Sequence, residues 1–424
     1  TPVPTAIPVP EPTPVPTAIP VPEPTPVPTA VVIAKYSFPA ESSSTKLTNG
    51  LSTKSKKFGI SVAIDGDTII TGDSNDSFEG TDSGSASVFN ISSDTWIQQA
   101  QITADDIYQG YLFGEAVDID GDTAVIGATG GAKGAVYVFV LRNGIWAQEA
   151  KLVDLATDSS AQFGKSVAIS GNTLIVGAPT DNAPETSSGS AFVFTRTDDV
   201  WGKVAQLAPS GRIYTLKNNR FGESVAIDSE RIYVGAQGDS STNGTDSGAV
   251  YVFTLSDGSW VEEAKLHASD GDEGDNFGHS ISVFNDTLVV GAPADDSNGT
   301  DSGATYVFVR NATGEWNEEV KLIASEGAYD DNFGWSVAVG ADVAIVGALY
   351  ANANGSDSGS LYTYNRTGTN WSESSILTGT GTTSNDRLGT SVSISGNVAV
   401  TGAPGYTEKA KEIGSIHVFT AQLR

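Results

Sequence analysis

The stretch FGKSVAISGNTLIVGAP, residues 163–179, carries the pattern that decides the fold. Small or polar residues alternate with apolar ones through SVAI, and a Gly-Asn step precedes a second apolar run, TLIVGAP. Alternation with a period of two is typical of β-strands, and a short Gly-Asn connection is typical of a tight hairpin. The stretch therefore predicts two antiparallel strands joined by a turn.

The same stretch recurs along the chain. Phe-Gly stands at six places and Leu-Gly at a seventh, at intervals of 50 to 58 residues: Phe58, Phe113, Phe163, Phe221, Phe277, Phe333 and Leu388. A fixed period of this length indicates a fold built from one supersecondary unit per repeat.

Each copy contains two further strand patterns. A third apolar run follows a polar loop, as in SGAVYVF at 247–253. A fourth run begins near a tryptophan in six of the copies: Trp96, Trp146, Trp201, Trp260, Trp316 and Trp371. Four such runs separated by Gly, Asn and Asp turns predict a four-stranded antiparallel meander. Seven meanders predict an all-β fold, a seven-bladed β-propeller, in which we expect the tryptophans to cover the contacts between blades.

The seventh copy ends at Arg424, before a fourth strand can form. The segment VVIAKYSF at 31–38 aligns with the fourth run VEEAKLHA at 261–268. We therefore expect residues 31–38 to form the outer strand of the seventh blade, which closes the ring and removes an open sheet edge. This assignment divides the chain into an arm, residues 1–30, and a propeller, residues 31–424.

The arm repeats the unit TPVPTAIPVPEP twice and begins it a third time. Proline restricts its own φ and the conformation of the residue before it, so alternating proline predicts a polyproline II helix without internal hydrogen bonds. Polyproline II segments dock readily on other proteins, and repeated segments suit identical sites on successive copies. We expect a head-to-tail assembly, since heterologous contacts propagate unless rotation closes them.

The Phe-Gly pairs and the Gly-Ala-Pro triplets at 177–179, 291–293 and 402–404 resemble the FG-GAP repeat family across residues 31–424. The resemblance implies a propeller like the head of integrin α subunits, which binds other proteins, and related repeats occur in extracellular proteins of microbes and protists. Integrin-type blades often carry a calcium loop, DxDxDGxxxD, between their first two strands. Here that place holds short turns such as DGDT at 65–68, so the resemblance does not bring metal sites with it.

A different acidic loop offers a second candidate for calcium. GTDSG recurs at 80–84, 244–248 and 299–303, with GSDSG at 355–359. Calcium prefers carboxylate and carbonyl oxygens, and Asp295 and Asp296 beside Asp301 make the strongest metal candidate. The alternative is an Asx turn, in which the carboxylate accepts backbone N–H groups.

Charge and composition exclude several functions. The net charge of −28 disfavours nucleic acid and anionic membrane surfaces as partners, and no apolar run is long enough to cross a membrane. Cysteine is absent, and the histidines His267, His279 and His417 fall at different positions of the repeat. The residues equivalent to His279 vary between copies: Ile60, Glu115, Lys165, Glu223, Trp335 and Thr390. A variable position argues against a catalytic one, so we expect no enzyme and no cofactor.

Glycosylation motifs indicate an extracellular location. Asn-X-Ser/Thr sequons stand at Asn75, Asn90, Asn243, Asn285, Asn298, Asn311, Asn354, Asn365 and Asn370. The arm resembles the proline-rich stalks of algal and plant cell-wall glycoproteins. That resemblance implies hydroxylation and O-glycosylation at Pro2, Pro4, Pro8, Pro10, Pro14, Pro16, Pro20, Pro22, Pro26 and Pro28.

Two functional hypotheses follow from these patterns. The first is an extracellular structural glycoprotein that assembles into a filament or sheath, with copies of itself as partners of residues 1–30. The alternative is a monomeric adhesion or ligand-binding head on a glycosylated Pro-rich stalk. Both require a cell-surface or extracellular location.

Overall fold

The computed structural model describes residues 36–39, 44–50, 57–154, 157–158, 160–182, 187–209, 218–240, 244–408 and 411–423. The chain divides into two units between Ala34 and Lys35, and only the second contains described residues. Its regular elements are β-strands, and no helix among the described residues could span a membrane.

The second unit is the predicted propeller of seven four-stranded antiparallel sheets. The first strand of each blade lines the centre of the ring: β3 (Ser61–Asp65), β7 (Phe113–Asp120), β11 (Ser166–Ser170), β15 (Val225–Ile227), β19 (Ser280–Phe284), β23 (Phe333–Val339) and β27 (Val392–Ser395). The second strands are β4 (Thr68–Asp73), β8 (Thr123–Ala128), β12 (Thr173–Ala178), β16 (Arg231–Ala236), β20 (Thr287–Ala292), β24 (Val343–Ala348) and β28 (Val398–Ala403).

The third and fourth strands complete each blade towards the rim. The third strands are β5 (Ser85–Ser92), β9 (Ala135–Arg142), β13 (Ser190–Thr197), β17 (Ala249–Ser256), β21 (Ala304–Arg310), β25 (Ser360–Thr367) and β31 (Ser415–Thr420). The fourth strands of blades one to six are β6 (Thr95–Ile102), β10 (Ile145–Leu152), β14 (Val200–Leu207), β18 (Ser259–Leu266), β22 (Trp316–Leu322) and β26 (Asn370–Leu377). A short hairpin, β29 (Thr407–Glu408) with β30 (Lys411–Glu412), precedes the third strand of blade seven.

The hydrophobic core lies between the blades rather than within a single centre. Buried apolar side chains form seven clusters among the described residues, one at each contact between neighbouring blades. Phe163, for example, packs against Val136 and Val138 of blade two and Val176 of its own blade. The core therefore forms only when successive blades stack, as repeat architectures require.

The two glycines of the repeat meet at this contact. A Cβ on Gly72, at the end of the second strand of blade one, would lie 1.9 Å from the carbonyl oxygen of Gly114, which belongs to the Phe-Gly pair of blade two. Gly114 itself has φ +94°, a conformation that side chains with a Cβ rarely adopt. Ser61 Oγ donates a hydrogen bond of 2.9 Å to the same carbonyl. The repeat therefore needs both glycines, because two backbones touch where they stand.

The tryptophans lie on the outer strands at the blade contacts, as predicted. Trp201 is 9% exposed and its Nε1–H donates to Glu149 Oε1 of the preceding blade at 3.1 Å. Arg196 donates to the other oxygen of Glu149 at 2.7 Å. The same arrangement recurs between Trp371 and Glu319, so a buried carboxylate joins an outer strand to the next blade.

The N-terminal part of the propeller closes the ring, as predicted, but a different strand forms the outer edge of blade seven. Strand β2 (Thr45–Leu47) pairs antiparallel with β31. Of the predicted segment 31–38, Tyr36–Ser37 (β1) pairs with Gln422–Leu423 (β32) in a separate two-stranded ladder. The predicted bounds were therefore wrong, because Thr45–Leu47 lies outside the predicted segment 31–38.

The spacing within the repeat explains the error. Leu47 precedes Phe58 by 11 residues, as Leu152 precedes Phe163, and it pairs with Ile416 in the register used by the other blades. The alignment relied on Ala-Lys at 34–35, whereas the Lys-Leu pair at 46–47 occupies the position of the fourth strand.

Buried contacts of Phe38 and of Ser44 hold the closing segment against blades six and seven. Phe38 is 1% exposed and packs in one cluster with Phe419. Ser44 Oγ lies 2.9 Å from Nδ1 of the fully buried His417 and also bonds Thr380 of blade six. Burial, and then the positive charge of Lys46, lower the pKa of His417 to about 3. A neutral imidazole is thus part of the closure.

Candidate binding pocket on the Phe-Gly face

The ring has two faces. We call the face where each first strand begins the Phe-Gly face, and the opposite face, where the first and second strands turn, the hairpin face. Between them runs a channel of about 370 Å³, lined mainly by valine, alanine and isoleucine of the first strands.

Asp118 is the carboxylate in this channel lining, at a position where the other blades carry alanine or serine. Its Oδ2 accepts a 2.8 Å hydrogen bond from the backbone N–H of Ile169 in the next blade. Ser282 and Ser393 of blades five and seven accept the corresponding bonds from the backbone N–H groups of Val339 and Ile64 in the next blades. Burial raises the pKa of Asp118 to about 7, although the hydrogen bonds from the backbone N–H groups of Ile169 and Ile119 act to lower it. Asp118 therefore joins two blades, a structural task that serine performs elsewhere in the ring.

A second pocket, of about 540 Å³, lies on the Phe-Gly face across blades three to six. The second residue after each phenylalanine of the Phe-Gly pairs contributes to it: Lys165, Glu223, His279 and Trp335. The residue before the phenylalanine contributes as well: Arg220, Asn276 and Asn332, all with positive φ. Equivalent positions of four consecutive blades thus converge on one cavity.

His279 lies at the centre of these contacts. Its Nδ1 is 2.7 Å from Gln237 Oε1, and its ring lies 4.5 Å from the ring of Trp335 at an angle of 49°. Burial, followed by the positive charges of Lys165 and Arg220, lowers the pKa of His279 to about 4. The ring is therefore neutral near pH 7, and an amide oxygen at Nδ1 places the proton there, which leaves Nε2 as an acceptor.

Each of the two cationic side chains of the pocket forms an ion pair with a carboxylate. Lys165 Nζ lies 3.1 Å from Glu115 Oε1, and Arg220 Nε lies 3.4 Å from Glu223 Oε2. The buried Oε2 of Glu223 has no hydrogen-bond partner in the described part of the chain. The Arg220 guanidinium is therefore the partner of this oxygen, through an ion pair and not a hydrogen bond.

Asp301 and Asp330 lie at the edge of the pocket formed by blades five and six. Burial, then the negative charges of Asp296 and Asp330, raise the pKa of Asp301. Lys165 and Arg220 thus lie on blades three and four, where Glu223 also lies, and Asp301 and Asp330 lie on blades five and six.

Comparison with known protein families matches seven consecutive copies of one model, the FG-GAP repeat, to residues 42–89, 96–139, 146–194, 201–253, 260–308, 316–364 and 371–419. The chain belongs to the FG-GAP repeat family. Each matched span after the first starts at the fourth strand of one blade and ends in the third strand of the next, and the first span includes β2. A search of curated proteins found no match.

The FG-GAP repeat also explains why sequence reasoning missed the pocket. Variation at the position of His279 argues against a catalytic residue that the repeat supplies in every blade. In a ring of repeats, however, a site that occurs once must be built from positions that differ between blades. The sequence feature that indicates the pocket is therefore the variation of this position between blades, combined with the circular order of the repeats.

The structure does not bring the three predicted metal ligands together. Asp295 Oδ2 accepts hydrogen bonds from Lys321 Nζ at 2.7 Å and from Tyr306 at 3.0 Å, and its Oδ1 accepts from a backbone N–H. Asp296 instead accepts the backbone N–H of Asp301 at 2.8 Å, as in the Asx-turn alternative. Within the described ranges no group of three or more acidic or histidine side chains is placed to hold a metal ion.

The sequons differ in how accessible the fold leaves them. The exposed ones are Asn285, Asn298, Asn311, Asn354 and Asn370, and Asn75 and Asn90 are partly buried. Asn365 is 8% exposed within β25, where the packed strand leaves no room for a glycan. Asn298 and Asn354 donate through Nδ2 to Ala324 O and Thr382 Oγ1, which gives both a structural role. Asn243 and the prolines of the arm lie outside the described residues.

Proposed function

We propose that this FG-GAP repeat protein is an extracellular structural glycoprotein that assembles head to tail with copies of itself, through residues 1–30. The observation that supports this proposal most is the position of the propeller's first described residue. Tyr36 pairs with Leu423 beyond the end of β31, at the outer rim and on the hairpin face. Tyr36 therefore lies at the outer edge of blade seven and not in the central channel.

The closure gives this starting point a firm attachment. β1 and β2 pair with the C-terminal strands, Phe38 is buried between blades six and seven, and Ser44 bonds His417. The two faces of the ring also differ, since the Phe-Gly face carries the asymmetric pocket, and unlike faces suit heterologous contacts.

The experiment compares the full chain with a chain that lacks residues 1–30. Electron microscopy and sedimentation velocity should show filaments or sheaths for the first and folded monomers for the second. A third chain with the arm residues in shuffled order keeps length and composition and tests whether the twelve-residue repeat matters. Filaments that persist without the arm contradict the proposal. Treatment with an N-glycosidase should lower the mass of the secreted protein.

A second function, a monomeric ligand-binding head, is favoured by one observation, the pocket across blades three to six. Images of native material separate the two proposals directly. Isolated discs that bind a ligand support the head, whereas particles with a regular axial repeat support the assembly.

A further inference from the structure

Several polar groups in the Phe-Gly-face pocket have no partner in the part of the chain that the structure describes. The indole Nε1–H of Trp335 has no acceptor, and Nε2 of His279 has no donor. Asn276 uses its Nδ2 to bond Gly274 O, which leaves its side-chain oxygen open. The pocket thus offers donors and acceptors side by side next to an aromatic ring.

The charges of the pocket argue against other classes of ligand. The carboxylates of Glu223, Asp301 and Asp330 oppose a polyanion such as a phosphate ester. Lys165 and Arg220 oppose a multivalent cation, and few apolar side chains are available for a purely hydrophobic ligand. A neutral ligand with many hydroxyl groups meets none of these objections.

We propose that the Phe-Gly-face pocket binds a neutral saccharide. Each sugar hydroxyl both donates and accepts, so it matches the mixed groups of Trp335, His279 and Asn276. The C–H face of a pyranose ring packs on the partly exposed indole of Trp335, a weak but directional contact. The volume of about 540 Å³ lies within the range of small-molecule sites.

The circular order of the blades limits the number of such sites. Trp335 of blade six and His279 of blade five occupy the same position of the repeat. At that position blade seven carries Thr390 and blade one carries Ile60. Neither residue supplies an aromatic face with an N–H donor. The proposal therefore requires one saccharide per chain. It goes beyond assembly through the arm, and neither depends on the other.

The test titrates the full-length protein with D-galactose, D-mannose, L-arabinose and N-acetylglucosamine, by calorimetry and by intrinsic tryptophan fluorescence. At least one sugar should bind with a stoichiometry of one and quench the fluorescence. Trp335→Thr installs the residue that blade seven already uses at this position and should weaken binding at least tenfold. The matched control, Thr390→Ala, lies outside the pocket and should leave binding unchanged.

His279→Thr provides a second variant, and thermal unfolding shows which variants remain folded. The proposal is overturned if no sugar binds, or if a folded Trp335→Thr or His279→Thr protein binds as well as the parent. It is also overturned if the synthetic peptide TPVPTAIPVPEPTPVP, and none of the sugars, occupies the pocket. Electron microscopy of the same variants reports separately on assembly, so saccharide binding and self-assembly can fail independently.

Discussion

Acid should weaken the closure of the ring through a single side chain, His417. This imidazole is fully buried, with Ser44 Oγ at 2.9 Å from Nδ1 and Ser415 Oγ at 3.2 Å from Nε2. Its pKa is lowered to about 3 in the fold, against about 6.5 in an unfolded chain. As pH falls below about 6.5, the unfolded chain binds the proton first. The stabilisation is therefore complete above pH 6.5 and is lost progressively towards pH 3.

The magnitude follows from the difference between the two pKa values. Each unit corresponds to about 1.36 kcal/mol, so at pH 4 the loss from His417 is about 3 kcal/mol relative to pH 7. Replacement of His417 by phenylalanine, the residue that Phe192 provides at the same position in blade three, removes the titrating group. The variant should lose about 3 kcal/mol less than the parent between pH 7 and pH 4.

The assay is urea unfolding, followed by tryptophan fluorescence, of parent and His417→Phe protein at both pH values. The difference between the two proteins isolates His417, because His279 and the carboxylates titrate in both. Replacement of Thr390 by alanine removes no titrating group, so this variant serves as the matched control. Equal pH dependence of parent and His417→Phe protein would refute the reasoning.

Two further predictions concern contacts that the repeat uses throughout the ring. Gly72→Ala should destabilise the fold by about 3 kcal/mol or more, because the new Cβ would lie 1.9 Å from Gly114 O. The control, Gly202→Ala, should change the stability by less than about 1 kcal/mol, because no atom lies within 4 Å of its new Cβ. Urea unfolding measures the free energy of unfolding of both variants. Lys321→Met should cost about 3 to 5 kcal/mol, because it leaves the carboxylate of Asp295, 4% exposed, without its cation. Adding calcium should not restore the lost stability, and recovery would support the metal site instead.

The sequence was sufficient to predict the number of blades, their strand order and the place of the tryptophans. Those features depend on local alternation, turn residues and a period that repeats seven times. The closing strand was harder, because Thr45–Leu47 is three residues long and lacks the tryptophan of the other fourth strands. Only its distance from Phe58 distinguishes it from the similar segment upstream.

The pocket depends on information that a linear pattern does not contain. Each of Lys165, Glu223, His279 and Trp335 is more than 50 residues from the next, and they line one pocket only when blades three to six stack. Likewise, the acidic loop around Asp295 resembles a metal site in sequence, and only the packing shows that a lysine ammonium occupies the place of a cation.

The closure of blade seven joins the N-terminal strands β1 and β2 to the C-terminal strands of the propeller. The outer strand β26 makes seven residue pairs with its neighbour, and the described residues of the closure make three pairs through β2 and two through β1. Tension applied to the chain before Tyr36 reaches the two-pair ladder first and the three-pair ladder next. Under load we therefore expect the β1 and β2 ladders to separate before the ladders of the other six blades.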